Sequence, residues 1–338
     1  MDQLSLFPGV AAPLDRTAAE LPAADEALAQ PDPPPGVGTS SQIGLFDARV
    51  AELRAIREAI ASGAIDEARH RLQSVEPDAD LDVGGTRERL SEIAKQLAGA
   101  GRLSPRESAA AIATLARKLT ADEAPWSHLG RALLVRAARA VDSETSSLAG
   151  RLRIEAGDLD GALSVLTSAL ERAHTADLLF ALGDVETRRG HPISARRHYR
   201  DALLIDPFDS AFENVLDDGV RSLADVAASE VEIEDEPRAW AAAVGIVAGV
   251  LALPSPGDWT LSAPHPSHAA ALGRTRQFVE ALVATSAPHG RQDPSAIIEA
   301  RRTMKRASPA LFAWYMARLT GPRRSPSFTR QPRSARDG

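Results

Sequence analysis

Reactive side chains are sparse in this chain, and their spacing decides what they could do. His265 and His268 lie three positions apart, near enough for two metal ligands, but prolines flank them and no carboxylate stands close by to complete a set. They are expected at the surface. Gly84-Gly85-Thr86 precedes a helical stretch and could offer backbone N–H groups to an anion. Without a lysine or a preceding strand, a turn with a threonine N-cap accounts for it. Cysteine is absent, which excludes disulfides, thiolate zinc sites and cysteine nucleophiles together. No Ser/His/Asp arrangement or carboxylate pair stands out, so sequence order offers no catalytic, cofactor or metal site. What remains is recognition chemistry. Gln3-Leu4-Ser5-Leu6-Phe7 is a compact apolar cluster in polar, proline-rich surroundings. Buried in a partner's pocket, Leu6 and Phe7 would each contribute roughly 1.5–3 kcal/mol, with the Gln3 amide fixing register through hydrogen bonds.

The elements behind these residues are expected to be helical throughout. Hydrophobic residues make up 44% of the chain and aromatics 4%, so a core must be built from Ala, Leu, Ile and Val. Ala is the best helix former, and an all-α fold follows more readily than a β-sandwich. Residues 1–41 carry Pro8, Pro13, Pro22, Pro31 and the run Pro33-Pro34-Pro35 and show no helical periodicity. They are expected to form a disordered, proline-rich arm. From Leu45 the period becomes helical, with helices expected to about Ser62, then 64–72, 86–98, 105–119 and 125–141. Ser104-Pro105 with Glu107 is a strong start signal. A helix is expected over 208–228, followed by a solvated acidic linker at Glu230, Glu232, Glu234, Asp235 and Glu236. The apolar run 240–253 is shorter than the ~20 residues of a membrane span and reads as a buried helix. Helices near 267–285, 294–306 and 309–319 complete the ordered part.

Charge is uneven. The net value is −7, which gives nucleic acid no general attraction, yet Arg301, Arg302, Lys305, Arg306, Arg318, Arg323, Arg324, Arg330, Arg333 and Arg336 cluster at one end. Residues 321–338 are expected to be a basic, disordered tail. The N-terminal residues do not read as a secretory signal, and the cytoplasm is the expected compartment.

The middle of the chain repeats itself. Gly150, Gly157, Ala162, Ala169 and Leu170 recur as Gly183, Gly190, Ala195, Ala202 and Leu203, each 33 positions later. A constant offset marks a structural repeat. The second copy, with Leu179, Leu182, Gly183, Gly190, Ala195, Tyr199, Ala202, Leu203 and Pro207, resembles the tetratricopeptide repeat; the first copy departs from that pattern at Ser146 and His174, and Glu186 replaces an aromatic. The spacing Gly63, Ile65, Asp66, Ala68 marks the hairpin at 45–76 as a divergent relative. The resemblance implies antiparallel helical hairpins stacked as a right-handed solenoid, with divergent hairpins over 42–142, the repeat pair at 143–209 and a C-terminal helical region at 210–320. In that family the ligand groove is lined by the first helix of each hairpin, which implies Arg151, Glu155, Phe180, Asp184, Thr187 and Arg188 as the residues meeting a protein or peptide.

Gln3-Leu4-Ser5-Leu6-Phe7 resembles the pentapeptide by which bacterial replication and repair proteins bind the DNA sliding clamp, with Gln3, Leu4, Leu6 and Phe7 as the contacts. Gln42-Ile43-Gly44-Leu45-Phe46 fits the same pattern in part, but Leu45 also begins a helical apolar stripe. The resemblances imply a non-enzymatic adaptor that holds a peptide ligand and is tethered to the clamp. Three alternatives stay open: a scaffold of another assembly with Gln3–Phe7 packed in cis, a nucleic-acid binder acting through the basic tail, and an enzyme whose site only the tertiary fold would assemble.

Overall fold

The computed structural model describes residues 40–75, 83–141, 146–255, 268–286 and 293–320. The chain divides into two compact units, Met1–Arg49 and Val50–Gly338. Of the first, only the start of helix α1 is described, so the proline-rich arm, the Gln3–Phe7 peptide and the basic tail all lie outside the described residues.

Every described element is helical. In order they are α1 (Ser40–Ser62), α2 (Ile65–Ser74), α3 (Val83–Ala100), α4 (Pro105–Thr120), α5 (Trp126–Val141), α6 (Ser146–Ala156), α7 (Leu159–Leu170), α8 (Ala176–Arg188), α9 (Pro192–Ile205), α10 (Asp218–Arg221), α11 (Leu223–Ser229), α12 (Ala241–Ala248), α13 (Ala269–Ser286), α14 (Pro294–Ala307) and α15 (Pro309–Thr320), with 3-10 turns at Ser210–Asn214 and Pro237–Trp240. The start signal at Ser104 is realised as a capping box. The Ser104 side chain accepts from the Glu107 N–H, and the Glu107 carboxylate accepts from the Ser104 N–H at 3.2 Å.

The 33-residue offset has a geometric counterpart. At Gly157 and Gly190 φ is +82° and +76°, the left-handed region that glycine enters without steric cost. Around both, the same bonds form: Gly157 N to Ile154 O and Gly190 N to Thr187 O at 3.1 Å, Asp158 N to Arg153 O and His191 N to Glu186 O at 2.9 Å. Each turn reverses the chain into an antiparallel partner helix. A Cβ at Gly150 would come closer than 3.0 Å to Leu166, and one at Gly183 closer than 3.0 Å to the Tyr199 ring, so both glycines mark the close crossing of their hairpin. Leu166 and Tyr199 are themselves 33 positions apart. Gly63 makes the same turn between α1 and α2, at φ +83° with Gly63 N bonded to Ile60 O and Ala64 N to Ala59 O. Five residues beyond each glycine, Ala68, Ala162 and Ala195 are buried.

Among the described residues of Val50–Gly338 there are three apolar cores. The first reaches from Ile56 to Leu152, and a smaller one lies between α6, α7 and α8 around Ala162, Leu166 and Leu182. The third joins α8 and α9 to everything after them, from Ala176 through Trp240 and Phe278 to Met304 and Leu311. Arginines tie its elements together: Arg276 of α13 donates to Leu204 O at the end of α9 at 2.7 and 3.0 Å, and Arg238 donates to Asp209 O at 3.0 Å while lying over the Phe212 ring.

Three expectations need correction. The helix expected over 208–228 is a 3-10 turn and two short helices. The Asp209 side chain caps Ala211 N and that of Asp217 caps Val220 N, so the chain restarts twice, with Val215 extended between them. The acidic stretch is a packed segment, because Val231 and Ile233 point into the core while the carboxylates between and after them face solvent. Gly84-Gly85-Thr86 lies inside the first turn of α3, which begins at Val83, so Thr86 is no N-cap. The buried helix expected at 240–253 is present as α12, shortened because Gly249 adopts φ +77°.

Candidate ligand-binding face

Of the implied groove residues, α6 supplies Arg151 and Glu155, and α8 supplies Phe180, Asp184, Thr187 and Arg188. Phe180, Asp184 and Thr187 do share one face of α8, as their spacing requires. That face is covered. Phe180 is fully buried and stacks on Phe212 with ring centroids 5.8 Å apart. Asp184 is 7% exposed, and its Oδ1 accepts from the Tyr199 hydroxyl at 2.7 Å and from Leu216 N–H at 2.8 Å. Thr187 Oγ1 donates to Gly183 O at 2.8 Å and sits 3.0 Å from the Tyr199 hydroxyl. Residues 210–217 lie over α8, with Phe212 on Phe180 and the Leu216 N–H on Asp184. Phe180 therefore belongs to the core.

The rim is charged. Glu155 holds a bidentate pair with Arg117 of α4 at 2.8 and 3.0 Å, a partner that no spacing rule could supply across 38 positions. Arg188 is exposed and Arg151 half-buried. Both guanidinium groups act electrostatically on Asp184, yet neither has a hydrogen bond or close ion pair among the described residues. Burial is the largest influence on the Asp184 carboxyl and raises its pKa, outweighing the Leu216 and Tyr199 hydrogen bonds and the two arginines, which lower it. Burial and the neighbouring carboxylate push the Tyr199 hydroxyl upward in turn. A buried carboxyl whose engaged oxygen already accepts two hydrogen bonds is built to hold Tyr199 and Leu216 in place, while the two free guanidinium groups above it suit anionic groups of a ligand.

Other residues singled out from the sequence fall elsewhere. Gln3, Leu4, Leu6, Phe7 and His265 lie outside the described residues. Gln42–Phe46 forms part of the α1 backbone. His268 is no simple surface histidine, since its ring stacks on Phe208 at 3.8 Å between centroids. Among the described residues no group of three or more His, Asp or Glu side chains is placed to hold a metal ion, and no helix is long and apolar enough to cross a membrane. An open apolar cavity of about 550 Å³, lined by Leu53, Ile56, Ile60, Leu72, Val83 and Trp126, lies at the α1–α3 end. It was not legible from the sequence because its walls come from four elements. Compared with known proteins, the chain matches no family model, no curated protein and no solved structure.

Proposed function

We propose that this chain is a non-enzymatic helical-repeat adaptor, its hairpins stacked as a tetratricopeptide-like right-handed solenoid, which binds a protein or peptide and is tethered to the bacterial DNA sliding clamp through Gln3–Phe7. The observation that carries the repeat is the recurrence, at an offset of 33, of one turn geometry and one helix-crossing contact in α6–α7 and α8–α9. The clamp tether rests on the five-residue match alone. A ligand on the repeat surface would meet Arg151, Glu155 and Arg188, together with Arg117, and its anionic groups would face the two unpaired guanidiniums. The proposed location is the cytoplasm, where such a clamp works.

The clamp itself is the probe. Titrating purified sliding clamp with the full chain should give binding of modest strength, because ordering the peptide offsets much of the burial of Leu6 and Phe7. Leu6→Ala with Phe7→Ala, or removal of residues 1–9, should abolish it. Binding that survives both changes, or no binding by the intact protein, would remove the tether and leave a scaffold of another assembly.

A further inference from the structure

The cavity beside α1 combines an apolar pit with a positively charged mouth. Leu53, Ile56 and Ile60 follow at intervals of three and four on one face of α1, and Leu72 of α2 and Val83 of α3 join them in the lining. Ile56, Ile60, Leu72 and Val83 are buried and form the floor, while Leu53 and Trp126 are half-buried and stand nearer the opening. The volume of about 550 Å³ falls within the range of small-ligand pockets, about 300–1,000 Å³. Arg89 of α3 lies 4.2 Å from the centre of the Trp126 ring and pairs with Asp122, so one face of the indole is taken. Thr86, Arg54 and Arg57 are the polar members of the lining, and among the described residues no carboxylate lines it. Arg54 is paired with Glu58 at 3.1 Å in an exposed contact. Arg57 is exposed and has no hydrogen bond or ion pair among the described residues.

We propose that this cavity binds a linear aliphatic carboxylate of medium chain length, its hydrocarbon chain in the pit and its carboxylate at the Arg57 guanidinium. Three observations favour that occupant. The walls are branched aliphatic side chains with a single indole, one face of which Arg89 covers, and this suits a saturated chain better than a flat ring in need of stacking partners. Both charges in the lining are positive, and the unpaired one is a guanidinium, whose planar fork matches a carboxylate. The floor is buried within a small volume, which accepts one narrow chain, whereas a partner protein needs about 1,000 Å² of complementary surface. No lining residue belongs to α6 or α8, so the site stands independently of the α6–α8 face and of the clamp-like peptide.

Calorimetric titration of the full chain with decanoate, kept below the concentration at which it forms micelles, tests this. Binding should be saturable, and each methylene removed on the way to octanoate should weaken it by about fourfold. Arg57→Gln, an exposed change expected to leave thermal unfolding unaltered, should weaken decanoate by about two- to fivefold, as for an exposed ion pair. Decylammonium, with the same chain and the opposite charge, should bind more weakly than decanoate. Trp126 reports the location: decanoate should change the tryptophan emission of the native protein and leave that of Trp126→Phe unchanged. The proposal is overturned by no saturable binding of decanoate, by an affinity that Arg57→Gln leaves intact, by equal or tighter binding of decylammonium, or by an emission change that persists in Trp126→Phe. A dimer in sedimentation that Leu53→Gln dissociates would give the cavity to a second copy of the chain and overturn it as well.

Discussion

Two glycines on the second hairpin show how one residue type meets different physical demands. Gly183 is required by contact, because any Cβ there would meet the Tyr199 ring closer than 3.0 Å. Gly190 is required by conformation, since its φ is +76° and no atom lies within 4 Å of an added Cβ. Gly190→Ala should cost about 1 kcal/mol of backbone strain. Gly183→Ala should cost roughly 1–3 kcal/mol through overpacking. In denaturant unfolding, adding Tyr199→Leu should relieve part of the Gly183→Ala loss while remaining additive, within about 0.5 kcal/mol, with Gly190→Ala. Additivity in both cases would contradict the close contact. Asp184 supplies a pH test. Its folded-state pKa is raised above the unfolded value, so the folded state holds the proton more tightly and stability rises as pH falls from the folded pKa toward the unfolded value near 4. Asp184→Asn keeps an oxygen acceptor for Tyr199 and Leu216 but cannot titrate. The melting temperature of the native protein relative to Asp184→Asn should therefore increase on acidification, and a constant difference would show that the carboxyl pKa is not raised.

At the scale of elements, caps decide where helices begin. Asp158 serves two purposes at the start of α7, accepting from Gly161 N at 3.1 Å and from the largely buried Arg153 guanidinium at 2.7 Å. Asp158→Ala should cost about 0.5–2 kcal/mol for the lost cap, plus the penalty of leaving Arg153 without its carboxylate. Asp158→Asn keeps the cap acceptor and should fall between the native protein and Asp158→Ala in thermal unfolding. Equal losses in the two variants would mean that the cap contributes little. The positions of α4 and the last three helices were legible from start signals and apolar period. The break-up of 208–228 was not. Asp209 and Asp217 are short polar residues that read equally well as helix surface, and they act as caps only because Phe212 is drawn into the third core against Phe180.

For the whole molecule, the segment after α9 is what ties the hairpins of α6–α9 to the C-terminal helices. Phe212, Arg238 and Arg276 connect α8 and α9 to the later elements through stacking and backbone hydrogen bonds. Phe212→Ala should cost about 3–5 kcal/mol, since it uncovers Phe180 and opens a cavity in the largest core. Differential scanning calorimetry should show the loss; a change below 1 kcal/mol would mean that 210–217 is only loosely laid on α8. The implied groove was partly legible for the same reason. Spacing placed Phe180, Asp184 and Thr187 on one face, but spacing says nothing of which later segment covers it. Arg117, 38 residues from Glu155, carried no signal at all.

The sequence by itself determined the helical class, the recurrence of Gly150, Gly157 and Ala162 at an offset of 33 and the charge reversal near the C-terminus. These depend on local conformation, on periodicity or on simple counting, all of which act over a few residues or need no geometry. Only the tertiary structure decided that Phe180 is core, that Asp184 is buried under Leu216, and that Val231 and Ile233 draw the acidic segment inward. Each of those outcomes depends on contacts between segments far apart in the chain, where burial outweighs the local preference that a sequence reveals.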